Sequence, residues 1–478
     1  MAPPRRVYPR DRAYFFLQLA LLPFCPVRRR AAAQSQPADE AQLPLQIKSA
    51  WGNPPVLARW KNASSPGAPC TWTFGCNTAG RVTNLTLGSA GVAGPFPDAV
   101  GGFSALTYLD VSNNSISGAF PTALYRCASL RYLDLSENNF TSELPADIGR
   151  LGENLTTLLL CGNGFNGTIP ASLGALTRLR TLCLAENPFL AGELPMKQLE
   201  VLSLSNNMLN GSIPAGVWRL SKLQELYLYS NNFSGDVVFN DFAAMSLMYI
   251  DLSENYKLTG AITEVFGTLK NLTVLFLSSN NFSGEIPVSI GQLPSLLLLM
   301  LDNNRFTGTL PPDLGKNSVL RIVDADYNEL TGTIPEGLCS RGQFKYLTAK
   351  GNQLNGSIPA GLANCTTLKT LALDDNNLSG DVPEGLCARG QLRYLTANGN
   401  QLNGSIPAGL ANCPTLQVLY LDNNNLSGDV PEALWTAPQL LVLSLQNNQL
   451  TGSLPATFSS NLRRLLIGNN QFSGSLCS

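Results

Sequence analysis

The chain has 478 residues, of which 44% are hydrophobic and only 14% charged, a composition that suits several ordinary domains or one extended repeat array. Its formal charge of -1 hides an asymmetry, because residues 1–33 hold seven arginines against Asp11, leaving 25 basic and 32 acidic residues on 34–478. That balance argues against a nucleic-acid-binding surface, and the absence of histidine removes the commonest general base, the usual zinc ligand and the ordinary pH switch.

The first segment carries Arg5, Arg6, Arg10 and Arg12, an apolar stretch from Ala13 to Cys25, then Arg28, Arg29, Arg30 and the small-residue run Ala31, Ala32, Ala33. This pattern reads as a secretory signal peptide over residues 1–33, with a basic tail as the alternative. No other stretch approaches the roughly 18 to 20 apolar residues that span a bilayer, so no membrane span is expected in this chain. Residues 34–81 place Trp51, Trp60, Cys70, Trp72, Phe74 and Cys76 just ahead of a repeat array. They read as an N-terminal cap with a Cys70–Cys76 disulfide, which implies an oxidising compartment.

From Val82 almost to the end, a unit of about 24 residues recurs, L-x-x-L-x-L-x-x-N-x-[LF]-x-G-x-[IL]-P, in about 17 copies such as LTVLFLSSNNFSGEIP at 272–287. The asparagine is present in sixteen of them, from Asn114 to Asn470. The L-x-L core alternates with period two, so its leucines point inward while the residues between them face out on a parallel sheet. The asparagine amide is suited to donate to and accept from backbone groups that no ladder satisfies, and Gly-x-[IL]-P turns the chain towards the far side. No unit buries its leucines alone, so stability comes from neighbours. The expected fold is therefore an α/β solenoid over 82–478 with a concave parallel sheet and short 3-10 or helical segments on the convex side. At about 4.8 Å per strand, sixteen steps give a sheet of roughly 80 Å. Residues 336–383 and 384–431 are nearly identical, which implies duplication of two whole repeats.

Outward strand positions can carry chemistry without disturbing the leucine core. In the central repeats these are Glu225, Tyr227, Tyr229, Tyr249, Asp251, Phe276, Met300, Asp302, Asp324 and Asp326, a run of aromatics and carboxylates. Such a wall suits an extended cationic peptide, the alternative being that an acid after the first strand leucine belongs to the repeat consensus. Fifteen Asn-x-Ser/Thr sequons occur, among them Asn62, Asn84, Asn154, Asn166, Asn271, Asn281, Asn364 and Asn425. They fit a glycosylated secreted protein, although several arise from the repeat itself. Cys127, Cys365 and Cys413 read as small buried apolar residues on the convex side; the pairs Cys339/Cys365 and Cys387/Cys413 could instead bridge adjacent coils. There is no phosphate-binding glycine loop leading to a lysine and no cysteine cluster of metal spacing, so neither catalysis nor any cofactor or metal is expected.

The Gly-x-Ile-Pro form, the Trp and paired-Cys cap and the segment LPLQIKSAWGNPPVLARWKN at 43–62 together resemble the ectodomains of plant leucine-rich-repeat receptor-like kinases. The stretch PEGLCSRGQFKYLTAKGNQLNGSIPAGLANCTTL is similar to the HAESA-like peptide-receptor subfamily. The resemblance implies a right-handed superhelix, a secreted peptide ligand on the concave face, a shorter co-receptor kinase as second partner, and an apoplastic location at the plasma membrane in full-length members. The array ends at Ser478, ahead of the family's transmembrane and kinase parts, which reads as a truncation. That subfamily grips its peptide's carboxylate with an Arg-x-Arg pair, but the matching positions here are Tyr346/Thr348, Tyr394/Thr396 and Arg464/Leu466. Arg178 and Arg180 have the spacing but precede their strand. The competing expectations are a secreted inhibitor of a pathogen wall-degrading enzyme, a non-signalling decoy, and an ice-active surface protein.

Overall fold

A computed structural model describes residues 40–61, 68–72, 74–187, 189–191, 198–237, 242–387 and 391–474. The expected signal peptide, Asn62 and Cys477 lie outside them.

Each repeat contributes a three- to five-residue strand, and seventeen of these pair in parallel and in strict chain order from Val82–Thr86 to Arg464–Leu466. An antiparallel strand at Phe74–Cys76 caps the first, completing an 18-stranded sheet. The register is constant: Tyr227 opposes Asp251, which opposes Phe276, which opposes Met300. Inward leucines such as Leu272, Leu275 and Leu277 are fully buried, each contributing about 1.5–3 kcal/mol only because a neighbouring coil covers it.

The asparagines do what their chemistry suggests. Asn304 is buried; its Nδ2 donates to the carbonyls of Leu277, Leu301 and Asp302, and its Oδ1 accepts the Phe282 N–H at 3.0 Å. One side chain thus closes the backbone accounts of two adjacent coils. The residue just before it bends into the left-handed region, as at Ser279, Asn303 and Tyr327, where φ is 57°, 56° and 54°. That strain, about 1–2 kcal/mol for a side-chain-bearing residue, is held by the bonds around it.

Short 3-10 turns such as Asp98–Gly102 and Glu264–Thr268, with α-helical turns at Ala408–Ala411 and Glu432–Trp435, form the convex side. The Gly-x-[IL]-P segment does more than turn. It opens with short parallel strands of its own, five of which join in one sheet from Ala93–Pro95 to Phe189–Ala191. Its glycine takes φ of 76°, 68° and 70° at Gly284, Gly308 and Gly332, a conformation that a Cβ disfavours.

At the N-terminal end the helix Leu43–Ala50 and the aromatic group Trp60, Trp72, Phe74 and Phe103 cover the first coil, with ring centroids 4.7 to 6.3 Å apart. Cys70 and Cys76 form a disulfide there. In the last described coil, Leu462, Leu465 and Ile467 are only half-buried, unlike their counterparts upstream. Cys339–Cys365 and Cys387–Cys413 are bonded across adjacent coils, with Cα separations of 5.3 and 5.4 Å, so Cys365 and Cys413 are staples rather than mere apolar filling. Cys127 is a buried free thiol.

Candidate functional site

Strand alternation and constant register sort the concave face into three columns, lying six, four and two residues before each ladder asparagine. The central repeats fill these columns with rings. Tyr227 and Tyr249 lie 4.6 Å apart by centroid, and Tyr249 meets Phe276 edge-on at 5.8 Å, so three successive strands present one aromatic surface. The Tyr227 hydroxyl donates to Glu225 Oε2 at 2.8 Å. Burial, then the Glu225 charge, raises the Tyr227 phenol well above its ordinary value, so it stays a neutral hydrogen-bonding group. Met300 is half-buried in the same column as Phe276 and extends the surface by one strand.

The carboxylates are placed differently from the outward presentation that periodicity predicts. Asp251 is 1% exposed and accepts the Ser253 N–H, sunk between Tyr227 and Phe276 in the register. Asp302 and Asp324 are also buried, and Asp326 is half-buried. The physical reason is that a short acid between bulky neighbours satisfies itself on the adjacent turn, where the backbone N–H two residues on is within reach. Burial raises the pKa values of Asp324 and Asp326 above the carboxylate range, Asp302 adding to both and the Lys350 N–H and charge opposing at Asp326. Lys350 bonds Asp326 through its N–H at 2.8 Å and reaches Asp374 at 3.4 Å through its ammonium.

Two features of this face escape the repeat reading. Tyr108 and Tyr132 stack at 4.2 Å beside Asp110 and Asp134 in the first repeats. Cys161 and Cys183 form a disulfide on the concave side; its trace in the sequence is two cysteines at outward positions of consecutive repeats. Arg178 and Arg180 are engaged along the sheet's edge, with Asn154 and with Glu200. Among the sequons, Asn84, Asn271, Asn364 and Asn425 are exposed, whereas Asn154, Asn166 and Asn281 are half-buried. No group of three potential metal ligands occurs among the described residues, and none of their helices is long and apolar enough to cross a membrane.

The chain belongs to the leucine-rich-repeat family. One leucine-rich-repeat model matches residues 80–140, 245–306 and 411–472, and a second matches 154–176, 198–220 and 391–413. Within that family it is similar to plant ectodomains. The ectodomain of the Arabidopsis receptor kinase HAESA, solved with a peptide hormone ligand, superposes with a TM-score of 0.72 and 30% identity over 92% of this chain and 74% of its own. The same receptor in complex with its peptide and the co-receptor SERK1 gives 0.60 and 28%, covering 91% and 86%. The plant peptide hormone receptor RGFR1 in complex with RGF2 gives 0.65 and 32%, covering 82% and 63%. A polygalacturonase inhibitor of Oryza sativa subsp. japonica is 34% identical over 98 residues, which are 20% of this chain and 29% of the inhibitor. The match thus spans under a third of that curated relative's length.

Proposed function

We propose that this chain is the ligand-recognition part of an extracellular receptor-like protein of a plant, binding an extended secreted peptide along the central repeats of its concave face. The observation that carries this reading is the ring surface of Tyr227, Tyr249 and Phe276, continued by Met300, on consecutive strands. Rigid aromatics give large contact area at low entropic cost, and the neighbouring Glu225 supplies a hydrogen-bond acceptor for peptide N–H groups and cationic side chains. The likeness to plant receptor ectodomains solved in complex with their ligands supports a peptide as the ligand class. A shorter leucine-rich-repeat co-receptor is the second partner this reading brings, and the exposed sequons Asn84, Asn271, Asn364 and Asn425 are the places for glycans.

The test is calorimetric titration of the secreted, glycosylated protein with a panel of synthetic plant peptide hormones, repeated with Tyr249→Ala, Phe276→Ala and Met300→Ala combined. The expected result is one binding peptide whose affinity falls at least about 30-fold in the triple variant, as for loss of about 2 kcal/mol of hot-spot contact. The partial match to polygalacturonase inhibitors supports a second reading, enzyme inhibition. Inhibition of a fungal polygalacturonase, with no binding from the peptide panel, would favour it.

A further inference from the structure

One residue before the first concave column, at the leading edge of the sheet, four successive repeats carry Arg321, Lys345, Lys369 and Arg393. They are stacked directly: Lys345 N–H bonds the Arg321 carbonyl at 2.9 Å, Lys369 N–H bonds Lys345 at 2.8 Å, and Arg393 N–H bonds Lys369 at 2.9 Å. Arg321 and Arg393 are exposed, and Lys345 and Lys369 half-buried. Among the described residues none of the four side chains makes a hydrogen bond or an ion pair. The stretches 317–323, 341–349, 365–373 and 389–397 around them contain six basic residues and no acid.

We propose that Arg321, Lys345, Lys369 and Arg393 form a track that docks an acidic segment of the extended peptide ligand, a proposal that rests on the peptide-binding reading of this face. Four like charges about 4.8 Å apart on adjacent strands repel one another, so without a counter-charge the arrangement disfavours the fold. At another position on the same edge Arg180 does have an internal partner, pairing with Glu200 at 2.8 Å on the next coil. The acids of the nearby columns do not serve the track: Asp374 is taken by Lys350 and the Thr396 hydroxyl, and Asp326 by the Lys350 N–H. The duplication enlarged the feature, because Arg393 is the copy of Lys345.

Three strand spacings make the track about 14 Å long, which an extended chain rising about 3.4 Å per residue covers with four or five residues. The matching segment therefore carries at least two Asp or Glu side chains on one face, meeting guanidinium and ammonium groups next to Tyr346, Thr370 and Tyr394. An acidic segment here leaves the rest of the peptide to run on towards the aromatic surface, along the same sheet.

The experiment uses fluorescein-labelled hexaglutamate and, separately, a labelled oligogalacturonate, titrated into the full secreted protein by anisotropy at about 50 and about 300 mM salt. Hexaglutamate should bind at low salt and weaken at high salt. Lys345→Glu with Lys369→Glu should weaken it at least about tenfold, while Lys345→Arg with Lys369→Arg should stay within about twofold. Arg321→Gln with Arg393→Gln provides an independent second variant, and melting no lower than that of the wild type shows that the fold of each variant is intact. No hexaglutamate binding by the wild type at low salt, or binding indifferent to both sets of substitutions, overturns the proposal. Track-dependent binding of oligogalacturonate alone overturns the choice of a peptide. Tyr249→Ala with Phe276→Ala should leave hexaglutamate binding unchanged. If no hormone peptide binds while the track-dependent binding persists, it is the peptide reading of the central wall that has failed.

Discussion

The central repeats, 225–302, and the duplicated repeats, 336–431, share one scaffold and differ in what they hang on it. Asn255 and Asn376 make the same bonds, each donating to three carbonyls and accepting one backbone N–H. The leucines are equally buried. Yet one region shows stacked rings with sunken acids, and the other a row of cations at the sheet's edge with two disulfides across its convex side. Inward positions are fixed by packing and polar satisfaction, so variation collects on the columns between them, and a repeat protein changes its chemistry there without refolding.

The largest effect should come from breaking what the regions share. Asn255→Ala and Asn376→Ala each strand four buried backbone groups, a loss on the order of 4 kcal/mol, and denaturant unfolding should show equal losses within about 1 kcal/mol. Unequal losses would mean that the scaffold is not uniform. Next, Cys387→Ala with Cys413→Ala opens a loop of 26 residues and should cost about 3 kcal/mol in the oxidised protein and nothing under reducing conditions. No disulfide is present between residues 203 and 302 among the described residues. Reductant should therefore raise amide exchange in the duplicated repeats and leave the central ones unchanged.

A smaller effect is on pH. Asp324 and Asp326 hold protons in the folded protein at pH values where the unfolded chain, with ordinary carboxylates near 4, has released them. Both states are protonated below pH 4. Stability contributed by the neutral forms is then lost as pH rises through the elevated folded values, where the buried acids must ionise. Melting of the wild type should fall between about pH 4 and pH 7, and Asp324→Asn should flatten that fall. An unchanged slope in the variant would show that these acids are not the groups responsible.

Periodicity alone makes the solenoid, its strand register and the asparagine's role legible, because each repeats sixteen times and has one physical solution. The five-stranded second sheet was not legible, since Gly-x-[IL]-P reads as a turn and its strands exist only through neighbouring coils. Alternation places Tyr227, Tyr249, Phe276 and Met300 at outward strand positions, where their rings and thioether share one register. It does not reveal that Asp251 lies beneath them, because burial on an outward position depends on the size of residues in adjacent coils, 24 or more positions away. The cation row is likewise visible only once coils are stacked.

Hydroxyl-radical footprinting with and without the bound peptide distinguishes a ligand on the concave rings from one beside them. Met208 and Tyr256, 60% and 71% exposed next to the asparagine ladder, provide internal controls. Bound peptide should slow oxidation of Tyr249, Phe276 and Met300 and leave Met208 and Tyr256 unchanged. Protection of Met208 and Tyr256 with no change at the three concave residues would contradict a ligand on the concave rings.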